Sequence, residues 1–236
     1  MSINKNKFYY GLKSFLKGNP VTRPLITALH RKKAVKKQLE GAKVFHRQIH
    51  NIFPAIIKKF DSLGIDYFIC FGTLLGAIRE QDFIKHDDDL ELGVFSDQYY
   101  SQLAWKFAEI GFKKQYRYYM AGSSIPNEGF VEKYSDGQIH FDLFVFSRND
   151  KNIWCWSYLK DEADVLTAIK LQWPNSGLKS ISFQNLDVPA PCNPQGFLEA
   201  LYGEGWSRPC VYWDDTLAGN IAEIDKTHGR FEPVDS

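Results

Sequence analysis

The stretch 71-FGTLLGAIREQDFIKHDDDLELGVF-95 decides the fold, because a Gly-Thr corner and an apolar helix candidate lead directly into a crowd of acids. Asp87, Asp88, Asp89 and Glu91 fall within five positions. Since side chains two residues apart share one face of a strand, Asp87, Asp89 and Glu91 are predicted to line one face. The opposite, core-side face carries Leu90, Leu92 and Val94. Asp88 is predicted to point to that core side.

Such a row of carboxylates predicts a metal site. Carboxylates this close raise one another's pKa values unless a cation lies among them. Hard divalent ions take oxygen ligands, so the row favours Mg²⁺ or Mn²⁺. A solvated acidic turn would explain Asp87 and Asp88, but it would not explain acids that alternate with buried apolar residues.

A second acid lies in the apolar run 138-QIHFDLFVF-146, where Asp142 shares a strand face with His140. An unpaired carboxylate is costly to bury, so Asp142 either meets a base or joins the metal ligands. We predict the second arrangement. Asp87, Asp89, Glu91 and Asp142 are therefore the candidate catalytic and metal-binding residues.

A candidate phosphate site precedes the acid row. Gly72 and Thr73 lie where a strand ends and the helix TLLGAIRE begins. Free backbone amides and the helix dipole make a helix start attractive to anions. Arg79, seven residues after Gly72, is a further candidate contact for phosphate.

The remaining patterns predict a mixed α/β domain of the α+β kind. Gly64 is predicted to end an amphipathic helix over residues 44–63, which Pro54 kinks or restarts. An Asp136-Gly137 turn predicts a hairpin. A helix capped by Ser96 is predicted over residues 97–110, and two more helices over residues 161–171 and the run FLEALY. Further strands are predicted over the run IDYFICF and over residues 112–120, 154–159 and 181–186.

The charge is divided unevenly along the 236 residues. Residues 1–60 hold 14 Lys/Arg and one acid, so their net charge is +13, while the remainder holds 15 bases and 27 acids, a net charge of −12. We predict two regions, a basic N-terminal helical extension over residues 1–40 and a catalytic domain over 41–236. Aromatic and basic residues alternate in the extension, which suits either the surface of an anionic membrane or a solvated helix packed on the domain.

Other sequence features narrow the compartment and the partners. We find no apolar run long enough to span a membrane and no secretory signal, so we expect a cytoplasmic protein, peripheral on the inner face of the membrane. No nucleic-acid-binding module accompanies the basic extension, so no nucleic-acid partner is expected. The four cysteines are widely spaced, which favours reduced structural thiols over a zinc site, and Cys70 is expected to be buried.

Three ordered motifs resemble those of the LicD/fukutin-related phosphotransferase family. They are GTLLGAIR with DFIKHDDDLELGVF, then HFDLFVF, then VPAP with FLEALYGEGW, and the resemblance covers about residues 45–207. It implies a nucleotidyltransferase-like fold, a CDP-linked donor, and transfer of a phosphorylated small molecule, such as an alditol phosphate, glycerol phosphate or phosphocholine, with release of CMP. The implied acceptor is a hydroxyl of a cell-surface glycan or glycolipid, such as capsule, lipopolysaccharide or a teichoic-acid-like polymer. By position, Gly72 and Thr73 would hold donor phosphates.

The chain departs from the family pattern in two places. Lys85 and His86 replace a proline and a tryptophan before the first Asp, and Glu91 replaces the last Asp of the row. Glu remains a competent oxygen ligand with a longer side chain. Two other functions stay open: a nucleotidyltransferase that moves NMP from an NTP to a small molecule or protein, and a non-catalytic glycan- or membrane-binding relative.

Overall fold

A computed structural model describes residues 23–160, 165–210, 213 and 215–234. The described helices are α1 (Arg23–Leu63), α2 (Phe71–Arg79), α3 (Leu103–Ala108) and α4 (Pro194–Tyr202), with a 3₁₀ turn over Asp215–Leu217. The described strands are β1 (Tyr67–Ile69), β2 (Asp89–Phe95), β3 (Lys113–Met120), β4 (Val131–Ser135), β5 (His140–Arg148), β6 (Asn152–Lys160), β7 (Leu166–Pro174), β8 (Leu178–Phe183), β9 (Leu186–Pro191), β10 (Ile221–Asp225) and β11 (Gly229–Pro233).

A large mixed sheet dominates the fold. Its strand order is β10-β7-β6-β5-β4-β3-β11, and β2 joins it by pairing with both β5 and β1. β2 and β5 are parallel, whereas the other described pairs are antiparallel. β8 and β9 form a separate hairpin. The prediction of a mixed α/β, α+β-type domain is confirmed.

Helix α1 is longer than its sequence pattern predicts. Its apolar stripe is fully buried at Phe45, Ile49, Phe53, Ile56 and Phe60. Gly64, at φ +64°, ends the helix as predicted. Of the kink or restart predicted at Pro54, the restart is wrong, because α1 continues through this residue as one helix. The helix also crosses residue 40, so the predicted boundary between the two regions falls inside it.

One face of the sheet is an aromatic core covered by α1 and α3. Phe107 of α3 contacts Phe60 of α1 at a ring-centroid distance of 5.0 Å and Phe141 of β5 at 5.1 Å. The predicted helix over residues 97–110 is too long, since α3 spans only Leu103–Ala108. Ser96 does not cap it, because the Ser96 amide bonds to the Phe146 carbonyl at 2.8 Å and continues the pairing of β2 with β5.

The other face of the sheet is apolar at one end only. There Trp173 of β7 stacks on Phe197 of α4 at 4.2 Å, and Phe71 of α2 contacts Phe144 of β5 at 4.5 Å. The side chain of Asn193 accepts a hydrogen bond from the Gly196 amide and caps α4, which confirms the predicted helix over FLEALY. Helices α2 and α4 thus close the apolar end and leave the polar end of this face open.

The predicted hairpin is confirmed, with Gly137 at φ +94° in the turn between β4 and β5. The predicted strands over residues 112–120 and 154–159 are confirmed as β3 and β6, and residues 181–186 contribute to β8 and β9. The predicted helix over residues 161–171 is wrong from Leu166 onward, because these residues form β7 and pair with β6 across its whole length. Residues 161–164 and the stretch FYYGLKSFLKG lie outside the described residues.

Cys70 is buried, as predicted. Among the described residues, no helix has both the length and the apolar character needed to cross a membrane.

Candidate active site

The open end of the acid-bearing face is a row of charged side chains on three neighbouring strands. β2 pairs with β5 so that Asp89 lies opposite His140 and Glu91 opposite Asp142. β5 pairs in turn with β4, so that Asp142 lies opposite Lys133. Because directly paired residues share a face, all five side chains belong to one surface. The parallel register therefore brings together two acids that the sequence separates by fifty residues.

Gly72 and Thr73 hold Glu91 in place. The Thr73 amide donates to Glu91 Oε2 at 3.1 Å, and the Glu91 amide donates to Thr73 Oγ1 at 2.8 Å. A Cβ at Gly72 would lie 2.6 Å from Asp87 Oδ2 and 2.8 Å from Glu91 Oε2, so only glycine admits both carboxylates. The start of α2 thus binds a protein carboxylate in this structure, and its contact with a donor phosphate stays a prediction.

Asp87 precedes β2, yet its carboxylate lies beside Gly72 together with the carboxylate of Glu91. Arg79 lies near these acids, with its Nη2 2.7 Å from Glu80 Oε1 and its Nη1 donating to the Trp206 carbonyl at 3.4 Å. Burial raises the pKa of Asp87 to about 7, as do the charges of the neighbouring acids, and the Arg79 guanidinium opposes this rise. Arg79 therefore moderates the charge of the acids, and its phosphate contact stays a prediction.

Asp88 reaches toward α1, which covers the core side, yet it stays close to the row, so its predicted separation from the other acids is wrong. Its carboxylate lies against α1, because a Cβ on Gly41 would be only 2.6 Å from Asp88 Oδ2. Ligand atoms of Asp88, Asp89 and His140 all lie within 4.8 Å of one another. β2 begins only at Asp89, so the strand alternation that the prediction assumed does not apply to Asp88.

Asp142 lies beside a base, which is the alternative that the sequence left open but did not favour. Lys133 Nζ lies 3.3 Å from Asp142 Oδ1. This oxygen is buried, and no described residue other than Lys133 is placed to donate a hydrogen bond to it. Burial raises the pKa of Asp142 to about 6, and Lys133 opposes the rise. The hairpin turn at Gly137 could have identified Lys133, since that turn sets Lys133 opposite Asp142.

The electrostatics of the row suit a divalent cation. Burial raises the pKa of Glu91 well above its usual range, and the charges of Asp89 and Asp87 raise it further. Burial would also raise the pKa of Asp89, but His140 and Lys133 hold it below its usual value. The raised pKa values of several neighbouring carboxyls and the close ligand atoms of Asp88, Asp89 and His140 give a donor set that Mg²⁺ or Mn²⁺ fits. His140, which the sequence analysis left without a role, adds an imidazole to this set.

Tyr202 lies close to the row, and the sequence analysis assigned no role to it. Burial raises the pKa of Tyr202 well above its usual range, and the nearby Glu91 and Asp87 charges add to this effect. Tyr202 packs edge-on against Trp213 with ring centroids 4.7 Å apart. Lys85, which departs from the family pattern, borders a cleft of about 380 Å³ beside α1.

The fold and the site together define an α+β domain with a carboxylate row set across a parallel strand pair beside a Gly-Thr helix start. Residues 64–193 match the model of the LicD/FKTN/FKRP nucleotidyltransferase domain, which is more than half of the chain. The chain therefore belongs to the LicD/FKTN/FKRP family.

Several curated proteins are similar to this chain. It is 23% identical over 173 residues to the human ribitol-5-phosphate transferase FKTN, covering 73% of this chain and 36% of that protein. It is 26% identical to the human ribitol 5-phosphate transferase FKRP, covering 64% and 30%. It is 28% identical to an uncharacterized protein of Rickettsia typhi, covering 64% and 43%. The chain thus spans about a third of the length of the FKTN and FKRP relatives.

Proposed function

We propose that this protein is a metal-dependent phosphotransferase built on a nucleotidyltransferase-like core. It moves a phosphorylated small molecule from a CDP-linked donor to a hydroxyl of a cell-surface glycan and releases CMP. The observation that carries the proposal is the paired register of β2 and β5, which sets Glu91 opposite Asp142 and Asp89 opposite His140. This register brings carboxylates from two strands to one surface, as a metal-assisted phosphate transfer requires.

In such a site the acids would have two roles, metal binding and proton transfer. Asp87, Asp89, Glu91 and Asp142 would hold Mg²⁺ or Mn²⁺, which neutralises the donor phosphates and polarises the bond to phosphorus. Asp142 also suits the role of base for the acceptor hydroxyl, because its pKa is raised to about 6 and Lys133 is the one described residue placed to bond its Oδ1. Gly72 and Thr73 orient Glu91 within the set.

The relatives favour an alditol phosphate as the transferred group. Both human relatives are named as transferases of ribitol 5-phosphate. CDP-ribitol is therefore the first donor to examine, ahead of CDP-glycerol and CDP-choline. We further propose that residues 1–40 hold the enzyme at the inner face of the membrane, close to a lipid-linked acceptor, because ten of these residues are Lys or Arg and one is an acid.

The direct test follows the nucleotide product. Purified protein with Mg²⁺ is incubated with CDP-ribitol, CDP-glycerol or CDP-choline, and in parallel with the four NTPs, while CMP and pyrophosphate are measured by chromatography. We expect CMP from a CDP-linked donor and its loss on addition of EDTA. Asp89→Asn should lower CMP release at least about a hundredfold, because removing one strong electrostatic contact at a reacting centre has this effect.

A control variant, Asp150→Asn, changes an exposed acid in the β5–β6 turn and should leave the rate unchanged. Pyrophosphate from an NTP, without CMP from any CDP-linked donor, would indicate the nucleotidyltransferase alternative. Full CMP release by Asp89→Asn in the presence of EDTA would contradict the proposal that the acids bind a catalytic metal ion.

A further inference from the structure

Lys133 places a positive charge inside the acid row. It lies on β4, opposite Asp142, and its side chain is 20% exposed. Its ammonium is 3.3 Å from Asp142 Oδ1 and 6.0 Å from the centre of the Tyr116 ring. Among the described residues, Asp142 is the one acid within ion-pair distance of Lys133. The lysine thus borders the carboxylate that suits the role of base.

A second lysine shows what a structural ion pair looks like in this protein. On the opposite face of the same sheet, Lys114 donates to Glu132 Oε1 at 3.1 Å. Glu132 is completely buried and also accepts hydrogen bonds from the hydroxyls of Tyr99 and Tyr134. That network satisfies the carboxylate fully. Lys133 differs, because its ammonium lies 3.3 Å from a single carboxylate oxygen, Asp142 Oδ1, and no other described residue donates a hydrogen bond to that oxygen.

The charge of the row explains why a lysine is useful here. Five acids, at positions 87, 88, 89, 91 and 142, surround the site, and a CDP-linked donor adds the two negative charges of its diphosphate. Divalent ions held by the acids would offset part of this charge, and a protein cation would supply a further donor to the phosphate oxygens. An ammonium group is a compact point charge that binds phosphate from several directions.

We propose that Lys133 contacts a non-bridging oxygen of the phosphate that is transferred, and is therefore a catalytic residue. This inference rests on the proposed function. In the step itself, the acceptor oxygen forms a bond to phosphorus and the bond from phosphorus to the CMP oxygen breaks. CMP leaves with that electron pair, and the hydroxyl proton passes to Asp142. Lys133 keeps its protons and stabilises the charge that builds on the phosphate oxygens.

The test separates turnover from nucleotide binding. CMP release from a CDP-linked donor and the affinity for CDP with Mg²⁺, by calorimetry, are measured for wild type, Lys133→Met, Lys133→Arg and the control Lys113→Met. Lys113 is exposed on the neighbouring strand β3, so its variant loses the same charge outside the site. We expect Lys133→Met to lower kcat about a hundredfold and to weaken CDP binding by a smaller factor, because the contact strengthens in the transition state.

Lys133→Arg should recover part of the rate, and Lys113→Met should stay within about twofold of wild type. A purely structural lysine would lower thermal stability with unchanged kcat per folded molecule, and that result would overturn the proposal. Wild-type kcat in a folded Lys133→Met protein would overturn it as well.

Two further results keep this inference distinct from the proposed function. If wild type releases no CMP from any CDP-linked donor, the proposed function fails, and the affinity for CDP with Mg²⁺ still tests Lys133. If Lys133→Met does not fold, Asp142→Asn is compared with Asp142→Asn/Lys133→Met, in which no carboxylate is left unpaired. Weaker CDP binding by the double variant supports the phosphate contact, and equal binding contradicts it.

Discussion

Gly72 shows how one missing side chain can organise a site. Its Cα lies beneath two carboxylates, and a Cβ there would be 2.6 Å from Asp87 Oδ2 and 2.8 Å from Glu91 Oε2. Both contacts involve the ends of flexible side chains, so the backbone could accept alanine if the acids moved. The glycine is therefore needed for the arrangement of the acids and not for the path of the chain.

Gly72→Ala is expected to separate stability from metal binding. Alanine inside α2 should leave the free energy of unfolding unchanged or raise it by about 0.5 to 1 kcal/mol. The displaced carboxylates should weaken Mn²⁺ or Mg²⁺ binding at least about tenfold, because ligands must be held close to their productive geometry. Calorimetric titration with the metal and urea denaturation measure the two effects.

The matched control is Gly205→Ala, since no atom lies within 4 Å of a Cβ at Gly205. That variant should bind metal as wild type does. Unchanged metal affinity in Gly72→Ala would show that Asp87 and Glu91 are not held by this close approach.

At the scale of elements, the pairing of β2 with β5 concentrates like charges, and stability should depend on pH as a result. Burial raises the folded-state pKa of Asp87 to about 7 and that of Asp142 to about 6, whereas the usual value for either is 3.8. The folded state therefore binds more protons than the unfolded state between about pH 4 and pH 7. Each raised carboxyl makes the metal-free protein less stable as pH rises through this window.

Comparison of wild type with Asp87→Asn isolates the contribution of Asp87 to the pH dependence of stability. Across about pH 4.5 to 7.5, the free energy of unfolding of the metal-free wild type should fall relative to that of Asp87→Asn, by on the order of 2 kcal/mol after allowance for solvent screening. Saturating Mg²⁺ should reduce this difference, because a cation favours the ionised carboxylates. Urea denaturation at several pH values measures it, and Asp150→Asn is the exposed control. If the free energy of unfolding of the wild type rises with pH relative to that of Asp87→Asn, the raised pKa of Asp87 is contradicted.

The sequence predicts some of these elements well and others poorly, for physical reasons. The alternation of Leu90 and Leu92 with acids identified β2, and the Asp-Gly turn identified the β4–β5 hairpin. The apolar residues between Leu166 and Leu171 fit both the helical and the strand period, and this segment is a strand because it pairs with β6. Helix α1 extends through Pro54 because its buried stripe continues on both sides of the proline.

The sequence predicts which acids belong to the candidate site, whereas only the strand pairing in the sheet shows which side chains lie next to one another. Nothing local in the sequence indicates that β2 and β5 are parallel neighbours, so the proximity of His140 to Asp89 was missed. The ion pair of Asp142 with Lys133 follows from the predicted β4–β5 hairpin, but that hairpin was not used to find it. Asp88 was misplaced because the strand was assumed to begin too early. Short exposed strands such as β10 and β11 carry little apolar pattern and were also missed.

At the scale of the whole molecule, the basic extension and the acidic domain have opposite charges, and we expect the extension to govern contact with membranes. Lys32, Lys33, Lys36 and Lys37 lie in one short segment of the extension. Replacing all four by Gln should weaken binding to vesicles that contain phosphatidylglycerol by on the order of a hundredfold or more at low salt, since each base near an anionic surface contributes about 1 kcal/mol. Vesicle sedimentation at increasing salt concentrations measures the effect.

A matched variant removes the same charge elsewhere, by replacing four exposed lysines with Gln: Lys113, Lys151, Lys179 and Lys226. This variant should keep most of the vesicle binding, and both variants should release CMP at the wild-type rate from a soluble donor. Equal loss of binding in both variants would assign the effect to net charge and would contradict a membrane role for residues 1–40.

The parallel pairing of β2 with β5 also bears on the order in which the chain folds. A parallel pair cannot be joined by a tight turn, and here the intervening chain includes α3, β3 and β4. The hairpin of β4 and β5 has local contacts and is expected to form early, whereas docking of β2 against β5 closes a long loop and comes late. Repulsion between Glu91 and Asp142 therefore arises only in the last stage of folding, when the surrounding structure already exists to hold the two carboxylates together.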